Sequence, residues 1–186
     1  MDFLGPFHPH IVHTPIALLI FSALFAIAGR LLDREWLRKA AVVMLVIGFI
    51  GSWLAEQSGK PAHRVPEHDQ GVPEEAIDEH SDAAQWVTRT SGGAVVALAI
   101  ASRLKGGAAG AVSGLALVLQ IMAAVAVART GFLGGRLTYE HGANVRVDGQ
   151  LVKSARAGEH GKERSGSRER PGEAPPEAAA PSGGPN

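Results

Sequence analysis

The 186-residue chain has no cysteine, which excludes disulfides, iron–sulfur clusters and thiolate zinc sites. It has no net charge either: 18 Lys and Arg balance 18 Asp and Glu, so no basic footprint argues for nucleic acid. No Gly-rich phosphate loop follows a strand pattern, no nucleophile elbow appears, and the His-Glu-x-x-His helix of metalloproteases is missing. Hydrolysis therefore has no motif to rest on, and no independent catalytic activity is expected. Charged residues make up only 19% of the chain, against 46% hydrophobic. The apolar residues gather into long runs instead of spreading evenly.

Four runs are candidate spans, at about residues 11–32, 39–56, 83–104 and 108–130. The first holds no charge before Arg30 and is long enough to cross roughly 30 Å of hydrocarbon at about 1.5 Å per residue. With no Lys or Arg in residues 1–12, it lacks the basic start of a cleavable signal peptide and is expected to be retained. The second closes on Trp53, an indole suited to the headgroup region. Residues 108–128 of the fourth are uncharged. The third is interrupted by Thr88, Arg89, Thr90 and Ser91. An arginine there can snorkel to the nearby interface, pair with Glu56, or bind an anionic cofactor group, and the last two place it in the protein interior.

These runs predict an all-α integral membrane four-helix bundle within residues 1–145, with a short outer helical cap, followed by a small hairpin and a disordered polar tail in residues 146–186. The cap helix begins with Pro73 at a first helical position and Glu74 and Glu75 on the positive end of the dipole. Ala76, Ile77, His80 and Ala84 continue at helical spacing into the third span. Asp148-Gly149, flanked by alternating residues, is a hairpin signal. From Ser154 onward, the run with Pro171, Pro175, Pro176, Pro181 and Pro185 cannot bury a core. Gln120, alone near the middle of the fourth span, predicts an interhelical hydrogen bond.

Orientation follows from basic residues in the connections. Arg30, Arg34, Arg38 and Lys39 mark the first connection and Arg103 and Lys105 the third, so both are expected on the cytoplasmic side of a bacterial inner membrane. Both termini and the long second connection are then extracytoplasmic. Seven of the eight histidines fall on that outer side, and only His160 stands apart in the tail. His10 and His13, three apart, share one helix face, and Pro15 is expected to kink that helix around Ile11 and aim them. His80 opens the third span and His141 follows the fourth, so these four are expected to converge. His8, His63 and His68 read as loop chemistry.

The run His8-Pro9-His10-Ile11-Val12-His13-Thr14-Pro15-Ile16-Ala17-Leu18-Leu19 comes at the start, and Gly134-Gly135-Arg136-Leu137-Thr138-Tyr139-Glu140-His141-Gly142 follows the fourth span. Together they resemble domain of unknown function family 2231, over roughly residues 6–145. The resemblance implies a bacterial membrane protein of four spanning helices whose relatives stand beside redox modules. It transfers architecture better than chemistry.

Two chemistries suit the histidines. One is haem b held by His13 and His80, with His10 and His141 as substitutes or supporting donors and Arg89 on an anionic group. Gly48, Gly51, Gly92, Gly93, Gly131, Gly134 and Gly135 would let a macrocycle approach, although close helix packing explains each glycine as well. The other is a zinc or copper site built from three of His10, His13, His80 and His141, with Glu140 or Asp82. The partners expected are the lipid bilayer and a quinone or a periplasmic redox protein. The alternative of a different class is a non-catalytic membrane scaffold whose histidines only order the outer cap.

Overall fold

The computed structural model describes residues 2–62 and 69–152. The expectations for His63, His68, His160 and the proline-rich tail lie outside the described residues. A 3-10 turn, Asp2–Phe7, leads into a short helix α1 (His8–Ile11), and four long helices follow: α2 (His13–Leu31), α3 (Glu35–Ala62), α4 (Glu74–Ala101) and α5 (Gly106–Tyr139). A two-stranded antiparallel hairpin, Arg146–Val147 with Gln150–Leu151, closes the described chain.

Each long helix packs on the next in sequence, and α5 returns to pack on α2, giving an up-and-down four-helix ring in which α2 lies diagonally from α4. The core draws one layer from every long helix: Leu19, Leu45, Val87, Ala94 and Val127. Close approach is set by glycine, since a Cβ on Gly48 would lie 2.8 Å from Leu19 and one on Gly92 2.9 Å from Phe49. Gln120 Nε2 donates to Ser22 Oγ at 2.9 Å, and Ser22 donates to the Ala41 carbonyl at 2.9 Å. The expected interhelical hydrogen bond thus ties α5, α2 and α3 in the dry interior.

Among the described residues, three helices are long and apolar enough to cross a membrane by length and composition, over Gly5–Leu31, Glu35–Ala62 and Gly106–Tyr139. The chain is an all-α membrane bundle. Helix α4 is as long as α3 but carries a charged first half. Its polar middle is satisfied internally: Thr90 donates to the Trp86 carbonyl at 2.6 Å and Ser91 to Val87 at 2.7 Å. Hydroxyls that bond back one turn need no water, so this stretch can sit in apolar surroundings.

Pro73 stands at the N-cap position of α4, one residue before the expected first helical position, and the helix runs unbroken through the expected cap and the third apolar run. Gly106, at φ +61°, opens α5 after the short connection, a conformation that L side chains rarely adopt. At the end of the bundle away from the two short connections, here called the distal end, α3, α4 and α5 all outrun the apolar stretches. The hairpin turns on Asp148 (φ 50°) and Gly149 (φ 78°), as its Asp-Gly pair predicts.

Candidate functional site

A cavity of about 470 Å³ lies at the distal end, within the size range of small-molecule sites. All four long helices and α1 line it, and most of its wall is apolar. His8, His13 and His80 face it, together with Glu56, Lys60 and Gln85.

Pro15 cannot donate to the Ile11 carbonyl, and α1 passes into α2 at Val12, one residue beyond the expected kink, with the Val12 backbone itself still helical (φ −65°, ψ −24°). Across that junction His13 Nδ1 lies 2.6 Å from the Pro9 carbonyl oxygen. On α4, His80 Nδ1 lies 3.1 Å from the Thr130 carbonyl oxygen of α5. That carbonyl is reachable because the residue four positions on is Gly134: side chains lean back over the preceding turn, and a Cβ there would lie 3.1 Å from His80 Cε1.

A carbonyl oxygen only accepts, so both rings carry a proton on Nδ1 and, when neutral, a lone pair on Nε2. Fixing one ring nitrogen on a backbone carbonyl is how proteins orient an imidazole ligand. His8 follows the same logic. Its Nδ1 is 2.9 Å from Ser58 Oγ, whose own proton goes to the Ala55 carbonyl at 2.9 Å. The His8 ring is therefore the donor there.

The expected convergence of His10, His13, His80 and His141 is corrected. Only His13 and His80 line the cavity. His10 sits on α1 and is exposed. His141 is buried just past the end of α5 but lies outside the cavity wall, although Tyr139 and Ala143 on either side of it line the cavity. His8, read from sequence as loop chemistry, takes a place in the wall instead. The available signal was its position beside Pro9 at a helix start.

Arg89 is also corrected as an interior residue: it is exposed, and its Nη2 donates to Gln85 Oε1 at 3.0 Å, one turn toward the distal end. That is the posture of a snorkelling side chain, with no ion pair to Glu56 among the described residues. Glu140 is engaged by Arg136 at 3.1 Å, and Asp82 is exposed outside the cavity. Among the described residues, no three His, Asp or Glu side chains come close enough together to hold a metal ion. The glycines divide by role. Gly48, Gly51 and Gly92 meet neighbouring side chains, whereas Gly131, Gly134 and Gly135 line the cavity.

Two stretches far apart in sequence thus build one site: His8, Pro9, Val12, His13, Pro15 and Ile16 from the first, and Gly134, Gly135, Leu137, Thr138 and Tyr139 from the second. Residues 5–147 match the family described as "Predicted membrane protein (DUF2231)". No curated protein and no solved structure gives a match. The match spans all five helices and the whole cavity wall, and the chain belongs to that family, domain of unknown function 2231.

Proposed function

We propose that this protein is a b-type haem subunit that carries electrons between a quinone and an extracytoplasmic redox partner. His13 and His80 would hold the iron. The observation that supports this most is their placement: two imidazoles on diagonal helices, each with Nδ1 fixed on a backbone carbonyl, open on one apolar cavity. The other two walls are small where a flat macrocycle would lie between helices, with Ala55 and Gly59 on α3 and Gly131, Gly134 and Gly135 on α5. The donor set and the cradle both fit the group.

Bound there, haem supplies one-electron chemistry. The chain's own residues orient the two rings, exclude water through the apolar wall and place the site at the distal end. By the charge bias of the connections, that end faces outward. The zinc or copper reading has less support, because it needs a third ligand within reach.

Full-length protein produced with ample haem should show a Soret band and a reduced-minus-oxidised α-band. His13→Ala and His80→Ala should each abolish or strongly shift them, while His10→Ala and His141→Ala should leave them in place. Lack of a Soret band in the wild-type protein overturns the reading, and metal analysis of the same sample then tests zinc and copper.

A further inference from the structure

The cavity is not uniform along its depth. Contacts between helices set the levels: His8 meets Ser58, a Cβ on Gly51 would lie 3.2 Å from Pro15, and one on Gly131 3.8 Å from Ile16. Toward the bundle centre the wall is apolar, formed by Pro15, Ile16, Val87 and Val127. At the distal rim stands Lys60, the one Lys or Arg of the cavity wall among the described residues. It lies two residues beyond Ser58, the partner of His8, and so roughly 10 Å distal to His13 at about 1.5 Å per residue.

Its ammonium is exposed and, among the described residues, donates to Gln57 Oε1 at 3.3 Å, a neutral group. Of the neutral side chains in the wall, Thr138 Oγ1 donates to the Gly134 carbonyl and one Asn144 Nδ2 proton goes to the Ala62 carbonyl, both at 3.3 Å. One turn inward on the same helix, Glu56 is half-buried in the wall. Charge along α3 therefore runs from anionic inside to cationic at the mouth.

We propose that Lys60 is the positioning residue that receives the ligand's carboxylates, so that a planar amphiphile enters with its acidic edge at the distal rim and its apolar edge inward. The assignment rests on the haem reading and specifies it: the propionates meet Lys60, and Glu56 repels them from the opposite pose. A carboxylate held by an ammonium gains a charge-assisted hydrogen bond, reduced here because the rim is wet. Turning the ligand over would put two carboxylates against Ile16 and Val87 and a like charge at Glu56, with no cation to meet them.

The test titrates the full-length protein, freed of haem in detergent, with ferric protoporphyrin IX and with its dimethyl ester, in the wild type and in Lys60→Gln. Absorbance reads affinity directly. Lys60→Gln should weaken the diacid about three- to tenfold and leave the diester unchanged, and Lys60→Arg should restore the diacid. Equal loss for both porphyrins, or no loss for either, overturns the role of Lys60 while the haem reading stands. Failure of the wild-type protein to bind either porphyrin overturns the haem reading and this assignment with it.

Discussion

Gly134 shows how much one absent methyl decides. Thr130 offers its carbonyl to His80 only because no Cβ covers it, and the same opening admits the ring to the cavity. Gly134→Ala would set a Cβ at 3.1 Å from His80 Cε1, so the ring must move by a few tenths of an ångström. Overpacking of that kind costs about 1–3 kcal/mol, partly offset by the better helix propensity of alanine. Haem affinity should fall about five- to fiftyfold with a shifted Soret band, read by the same titration. Gly114→Ala, with nothing within 4 Å, should bind as the wild type does and be slightly more stable. An unchanged spectrum in Gly134→Ala would mean that His80 is not held by this contact. His8 was misread at this scale, because a sequence cannot show that Ser58, fifty residues away, spends its proton on Ala55 and fixes the His8 ring.

Among the elements, the long second connection and the hairpin depend on each other. Two residues per strand cannot make a stable sheet alone. Gln70, 1% exposed, supplies the missing support: its Nε2 donates to the Gly142 and Val152 carbonyls at 2.8 and 2.6 Å, and its Oε1 accepts from the Asn144 amide at 2.7 Å. Val72, Ile77 and Leu137 form a small apolar cluster beneath. Gln70→Ala strands three backbone groups, a cost of roughly 2 kcal/mol or more after partial rehydration. Amide exchange across residues 142–152 should accelerate about thirtyfold, with the core helices unaffected. Uniform acceleration throughout the bundle would show that the clamp is global and not local. Helix lengths are the other lesson at this scale. Apolar runs delimit what lipid can cover, but α3, α4 and α5 continue as helix beyond them because the distal residues pack on one another.

At the scale of the whole molecule, the basic connections Arg30 to Lys39 and Arg103 to Lys105 sit at one end of the bundle and the cavity at the other. The positive-inside bias then predicts a cavity that opens away from the cytoplasm. A chain without cysteine allows this to be tested cleanly. Asp78→Cys on the exposed face of α4 should react with an impermeant maleimide in intact cells, and Arg34→Cys only after permeabilisation. Gly71 is a poorer position despite its place in the long connection, since its φ of +68° would be strained by any side chain. The opposite labelling pattern would invert the topology and put the cavity on the cytoplasmic side.

The sequence by itself determined the class of molecule. Long uncharged runs have no favourable place in water, and in lipid their backbone polar groups must close on themselves, so helices follow. The Asp148-Gly149 pair and Gln120 likewise carry local chemistry that acts as the sequence alone predicts: a turn and a hydrogen bond between helices. Which histidines share a cavity was decided only by the tertiary structure. The His80 ring depends on a carbonyl exposed by a glycine on another helix, and the His8 ring on a serine fifty residues away. Both are set by packing between residues that are distant in the chain, and no periodicity within one segment records them.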